Sequence, residues 1–158
     1  MVFGSFGVRA EVGSHSLRQA AASANVALVS PAQTRAVQQQ ITSAVNTIFS
    51  YRYSDVAATR STAQHLLTGA AIRQYDQLFA LVAQQAPKQK LVVTTRVASI
   101  GVEFLTGDRA RVLVFANQQD TRAGTSQASY AGAMFAVTAV SRSGHWLIED
   151  IDTFSSPG

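Results

Sequence analysis

The sequence predicts one α+β domain, with its helices in one block and its strands in the next. Before Pro87, apolar residues recur at spacings of three and four, which is the period of amphipathic helices. After Pro87 the chain has runs rich in Val, Thr, Ile and Phe that are bounded by turn residues, which is typical of strands. Segregated helices and strands favour the α+β class over an alternating α/β arrangement.

The composition fits a single globular domain. The chain has 158 residues and 47% of them are apolar, which is enough for one sizeable core. Its net charge of +4 is dispersed and no aromatic residues interleave with the basic ones, so we expect no nucleic-acid partner. The lack of cysteine excludes disulfides, thiolate zinc sites and cysteine nucleophiles.

Residues 1–29 are expected to form a loosely attached arm, followed by a folded domain over residues 30–155. The arm opens with an apolar octet, Met1 to Val8, which is too short for the core of a signal peptide. Its remainder is rich in Ala, Ser and Asn, as linkers are. The chain contains no run of about 18 apolar residues that could span a bilayer.

The first helix is expected to begin at Ser30. Ser30, Pro31 and Gln33 supply an N-cap hydroxyl, a proline at the first helical position and the third-position glutamine of a capping box. The apolar stripe that follows is expected to continue down to Tyr51 and Tyr53.

Two further helices are expected. Ser54 is the predicted cap of the second helix, with Asp55 in its first turn, and Gly69 marks the break after it. The third helix is expected to end at Pro87, because proline cannot continue the hydrogen-bond ladder. Its apolar stripe comprises Ile72, Tyr75, Leu78, Phe79 and Val82.

Four strands follow, joined by two tight turns and one longer polar loop, so consecutive strands are expected to be antiparallel. We expect them to form a curved sheet that wraps over a helix as a cone with an open mouth. The predicted strands cover about 90–105, 109–119, 129–141 and 145–154.

The last strand, HWLIEDID at 145–152, contains the densest group of candidate catalytic residues. On a strand, Asp150 and Asp152 share one face, and a buried pair of carboxylates could act as acid and base. The alternative, which we favour, is that they lie at a polar rim or pair with an arginine such as Arg96 or Arg111. No HxH or HExxH spacing and no glycine-rich phosphate loop is present, so we expect no metal and no cofactor.

Several stretches, taken together, resemble the mycobacterial Mce-associated membrane proteins, which are accessory proteins of the Mce lipid importers. The resemblance covers roughly residues 25–154 and rests on core and turn patterns. It implies a single N-terminal membrane helix followed by an NTF2-like (cystatin-like) domain on the extracytoplasmic side of the cytoplasmic membrane. It also implies no enzymatic activity. The stretches are NTIFSYRYSD, LLTGAAIRQYDQLF, KLVVTTRVASIGV, ARVLVFANQ and HWLIEDID.

This sequence departs from the family pattern because it lacks the membrane helix. We expect the apolar octet to be the remnant of that helix. The resemblance further implies Mce proteins and a permease as partners. Exposed sheet arginines such as Arg96 and Arg111 are the candidate contact residues.

Two other functions remain open. One is a lipid or small apolar ligand binder, and the other is an isomerase or dehydratase that uses Tyr75 and Asp150. A homodimer is plausible by analogy with the fold. The residues expected to line the ligand cavity are Phe49, Tyr75, Leu78, Phe79, Phe104, Phe115, Phe135 and Trp146.

Overall fold

The computed structural model describes residues 30–154, so the expected arm at 1–29 and residue 155 lie outside the described residues. Three helices pack on one curled, five-stranded antiparallel sheet whose strands follow chain order, which confirms the α+β class. The elements are α1 (Pro31–Ile48), β1 (Tyr51–Arg52), α2 (Val56–Gln64), α3 (Ala70–Gln89), β2 (Leu91–Thr106), β3 (Arg109–Arg122), β4 (Ala128–Arg142) and β5 (His145–Asp152).

Helix α1 begins with the predicted capping box. The Ser30 hydroxyl accepts a hydrogen bond from the Gln33 amide at 3.1 Å, and the Gln33 side chain accepts one from the Ser30 amide at 3.4 Å. The helix ends at Ile48, however, and does not continue to Tyr51 and Tyr53. Tyr51 instead begins β1, a two-residue strand that pairs with β2 and raises the number of strands from the expected four to five.

The boundaries of α2 and α3 differ from the expectation at two points. The N-cap of α2 is Asp55 and not Ser54, and its side chain makes no capping hydrogen bond. Pro87 lies inside α3, which continues to Gln89 and closes at Lys90 with a left-handed backbone, φ +52°. Proline has no amide hydrogen, so Pro87 removes one hydrogen bond from the last turn, but the helix still continues for two more residues.

The three longest strands are β2, β3 and β4, with 16, 14 and 15 residues. One face of the sheet, the inner face, packs against the helices and contributes Val112, Val114 and Val137 to the core at 0% exposure. The opposite face, the outer face, is not covered by any described element. It carries four large apolar side chains that are at least 42% exposed: Phe104, Phe115, Tyr130 and Met134.

Among residues 30–154, none of the three helices combines the length and the apolar character of a membrane-spanning segment.

Candidate functional site

The sheet divides the predicted cavity residues into two groups. Phe104 and Phe115 lie on the outer face, 45% and 42% exposed, and therefore cannot line an inner cavity. Strand alternation explains this, because Val114 and Leu105 are the neighbours that turn towards the helices. The other six of the eight residues lie on the helix side of the sheet: Phe49, Tyr75, Leu78, Phe79, Phe135 and Trp146.

Most of these six residues fill the inner space instead of surrounding a void. The rings of Tyr75 and Phe79 stack with centroids 5.1 Å apart, and Phe49 meets Phe135 edge-on at 5.6 Å. Trp146 is 8% exposed and belongs to the same core. Such aromatic contacts are typical of a packed interior.

A small apolar pocket of about 210 Å³ remains between α3 and the sheet. Phe49, Leu78 and Phe135 are the predicted cavity residues that line it, together with Ile151 and Thr153 at the end of β5. Its volume lies below the range of about 300–1,000 Å³ that is usual for small-molecule sites.

Tyr75 and Asp150, the acid and base of the enzymatic alternative, are not brought together in a pocket. The Tyr75 hydroxyl donates to the Ile48 carbonyl at 2.8 Å inside the core. Burial, reinforced by the negative charge of Asp76, raises its pKa well above the ordinary value for tyrosine. Asp150 accepts a hydrogen bond from the Gln74 side chain at 2.9 Å at the sheet edge. Both groups are thereby engaged in structural hydrogen bonds.

Two of the three carboxylates of β5, Glu149 and Asp152, pair with arginines of β3, and for Asp152 this is the pairing that the sequence favoured. Arg111 contacts Asp152 at 3.0 Å and Glu103 at 2.8 Å, while Arg109 pairs with Glu149. The backbone amide of Phe154 donates a hydrogen bond to Asp152, and this bond is the main cause that lowers the pKa of the carboxyl group. The hydrogen bond from Arg111 lowers the pKa further. No group of three potential metal ligands occurs among residues 30–154.

Arg96 differs from Arg111, because it forms no ion pair with any described residue. It lies on the exposed outer face, opposite Asn117 of β3. Together with Asn117, Tyr130 and Gly132 it lines a shallow concavity of about 520 Å³. The exposed apolar side chains of the outer face lie on the same strands.

The sequence-based list of contact residues omitted Tyr130 and Met134. Tyr130 is 76% exposed and Met134 is 51% exposed, and both occupy the outer face of β4. Their alternation with Phe135, which is buried at 7%, was a usable signal in the sequence. Deciding which set faces water requires knowing where the helices lie.

Comparison with known proteins gives sequence relatives of unassigned role. No family model matches the chain. Two uncharacterized proteins of Mycobacterium tuberculosis, from strains CDC 1551 / Oshkosh and H37Rv, are each 33% identical to it over 102 residues. The matched region is 64% of this chain and 46% of either relative, so the chain spans about half the length of the curated relatives it matches.

Solved structures identify the fold. CagV of Helicobacter pylori, a VirB8 homolog of a T4SS, matches with a TM-score of 0.62 at 11% identity, covering 75% of this chain and 95% of that one. A periplasmic fragment of TraM matches with a TM-score of 0.59, also at 11% identity and with the same coverage. VirB8 of Agrobacterium tumefaciens gives 0.51 at 10% identity, over 75% of this chain and 89% of that one. The domain therefore has a VirB8-like, NTF2-like fold.

Proposed function

We propose that this chain is a non-catalytic accessory protein of an Mce-type lipid import system, and that it acts by binding the transporter's subunits. The observation that supports a binding role best is the outer face, where large apolar side chains are exposed on the same strands as Arg96, which forms no ion pair with residues 30–154. Large apolar side chains exposed on a sheet face, such as the neighbouring Phe115 and Met134, are enriched at protein interaction sites.

The assignment to an Mce system is supported by the resemblance of the core and turn patterns to the Mce-associated membrane proteins, and by the mycobacterial origin of the sequence relatives. On this proposal the domain lies on the extracytoplasmic side of the cytoplasmic membrane, joined to a single membrane helix. The similarity to a periplasmic fragment of TraM is consistent with that location.

The proposed mechanism is stabilisation of the assembled transporter by binding. A partner that binds only the folded and assembled state shifts the assembly equilibrium towards that state. On the outer face, apolar contacts would supply the affinity and Arg96 would select a partner surface bearing a carboxylate, since charge complementarity mainly determines specificity.

The test is affinity purification of the protein, tagged at its native locus, from a membrane extract, with mass spectrometry of the bound proteins. Arg96→Glu should reduce the recovery of Mce and permease subunits about tenfold without changing the melting temperature. Arg35→Glu makes the same charge change on exposed α1 and should retain the partners.

Equal recovery with Arg96→Glu and Arg35→Glu would exclude the outer face as the interface. Absence of Mce and permease subunits from the wild-type sample would exclude the accessory role. Arg111, the other arginine expected from the sequence, is unsuitable for this test. Its reversal would place a carboxylate against Glu103 and Asp152 and disturb the fold.

A second candidate function is lipid binding, which the apolar pocket between α3 and the sheet favours. The bound group would have to be short or only partly inserted, because the pocket is only about 210 Å³. Native mass spectrometry of the purified protein and titration with a fluorescent fatty acid test this function. Absence of both bound lipid and fatty-acid binding would exclude it.

A further inference from the structure

The first half of β4 has an open edge. β5 pairs with β4 only from Ala136, the partner of Asp152, onwards. Ala128–Met134, here named the open edge, therefore pairs with β3 on one side, and no described strand or helix pairs with its other side. All seven of its residues are exposed.

The direction of the backbone groups along this edge follows from a hydrogen bond in β5. The Ile151 amide donates to the Gln74 side chain, away from β4, so its partner Val137 directs its own amide towards β3. The β3–β4 register is regular, so the direction alternates along β4. The amides of Tyr130, Gly132 and Met134 accordingly point to the open side.

The usual protections of an edge strand are absent here. The stretch ASYAGAM contains no charged residue and no proline, and its register has no bulge. The edge of β5 that faces away from β4, by contrast, is covered. Gln40 and Gln74 accept hydrogen bonds from the amides of Trp146 and Ile151, and Ile148 bonds with the segment before α3.

The edge of β2 is also protected. Two register shifts interrupt it, between Val97 and Ser99 and between Val102 and Phe104. Side chains at the end of α1 and just after it accept hydrogen bonds from amides of β2. For example, the Asn46 side chain accepts one from the Val97 amide. Among the described strands, the open edge of β4 is thus the longest free edge that neither a register shift interrupts nor a hydrogen-bonding partner covers.

The open edge adjoins the apolar pocket. A strand added antiparallel to β4 would continue the line of β5, and alternate side chains would turn to opposite faces. One set would enter the pocket beside Leu78, Ala133 and Phe135. The other set would lie beside Tyr130 and Met134, which are exposed on the outer face.

We propose that the open edge binds an extended, uncharged segment of a partner protein by β-strand addition, with one of its large apolar side chains seated in the pocket. This proposal rests on the proposed accessory role in one respect only, which is that the partner is a protein. A second copy of this chain fits less well. The inward side chains of its own open edge would be Ser129, Ala131 and Ala133, which are too small to fill the pocket.

The first test is a titration of the whole chain with an uncharged peptide of alternating threonine and leucine, followed by NMR. We expect saturable shifts at the amides of Tyr130, Gly132 and Met134, with slower hydrogen exchange at those amides. A peptide of the same sequence, N-methylated at its edge-facing residues, should not bind. No shift at millimolar peptide, or equal binding of the N-methylated peptide, would overturn the proposal.

Gly132 provides a matched pair of variants. Its amide points to the open side, its backbone φ is not in the left-handed region, and an added Cβ meets nothing within 4 Å. Gly132→Pro removes the donor and should weaken peptide binding about tenfold, whereas Gly132→Ala retains the donor and should bind like the wild type. Equal binding by the two variants would contradict strand addition. If Gly132→Pro unfolds, strand addition is tested instead by hydrogen exchange at the open-edge amides of the wild type with and without the peptide.

The purification from membranes separates this inference from the proposed function. Equal recovery of Mce and permease subunits with Gly132→Pro and Gly132→Ala would overturn strand addition as the mode of binding, while the accessory role would stand. Loss of a dimer in Gly132→Pro, seen by analytical ultracentrifugation, would identify a second copy as the occupant and would likewise overturn the proposal.

Discussion

Replacing Tyr75 with phenylalanine tests whether this residue is structural. Tyr75 is 3% exposed, and its hydroxyl donates to the carbonyl of Ile48 at 2.8 Å. Ile48 is the last residue of α1, and the final carbonyls of a helix have no donor within the helix itself. Tyr75 therefore supplies from α3 the hydrogen bond that the end of α1 lacks.

The expected loss of unfolding free energy follows from the contacts that the substitution keeps and the one that it removes. The phenylalanine ring can keep the contacts that Tyr75 makes with Phe79 and Phe49, at centroid distances of 5.1 and 6.3 Å. What is lost is the partner of a buried carbonyl, which costs about 1–3 kcal/mol. At about 4 °C per kcal/mol for a domain of this size, the melting temperature should fall by roughly 4–12 °C.

Urea unfolding, followed by the fluorescence of Trp146, the single tryptophan, measures this cost. Tyr130→Phe is the matched control, because Tyr130 is 76% exposed and should change stability by less than about 0.5 kcal/mol. Tyr75→Phe with the same unfolding free energy as this control would refute the assignment of Tyr75 as the partner of the α1 terminus.

Two further predictions concern stability. Burial raises the pKa of Tyr75, so its stabilising contribution is complete below the unfolded value of about 10 and is lost as pH rises towards the folded value. Wild type should therefore lose more unfolding free energy than Tyr75→Phe between about pH 9 and 11, and parallel pH profiles would contradict this. Gly69 has φ +55°, and an added Cβ would lie 3.1 Å from the Glu149 side chain, so Gly69→Ala should cost about 1–2 kcal/mol in thermal unfolding. An unchanged melting temperature would show that the turn adapts.

Periodicity predicted the long elements because each of them repeats its pattern many times. The stripe that begins at Val37 fixed α1, and the alternation around Val112 and Val114 fixed β3. Periodicity could not predict β1, since two residues contain no repeat. It also placed the end of α3 too early, because the loss of one amide hydrogen bond at Pro87 does not end the helix.

The candidate sites were harder to predict, since alternation separates the two faces of a strand without showing which face the helices cover. Phe115 and Val114 are both suitable core residues, and only the position of the helices places Val114 inside. Bulges add a second difficulty. The register shift between Val102 and Phe104 changes the alternation, so Leu105 turns inward and Phe104 turns outward.

The residues that support this fold differ from those that we propose to bind a partner. Gln40, Gln74 and Tyr75 satisfy backbone groups at a strand edge or a helix end, so their replacement should affect stability first. Arg96 forms no ion pair with the described residues, and the open edge at Ala128–Met134 presents backbone groups that no described element covers. Changes confined to these two places can therefore weaken binding while the domain stays folded. That separation is what allows the proposed interactions to be distinguished from the stability of the fold.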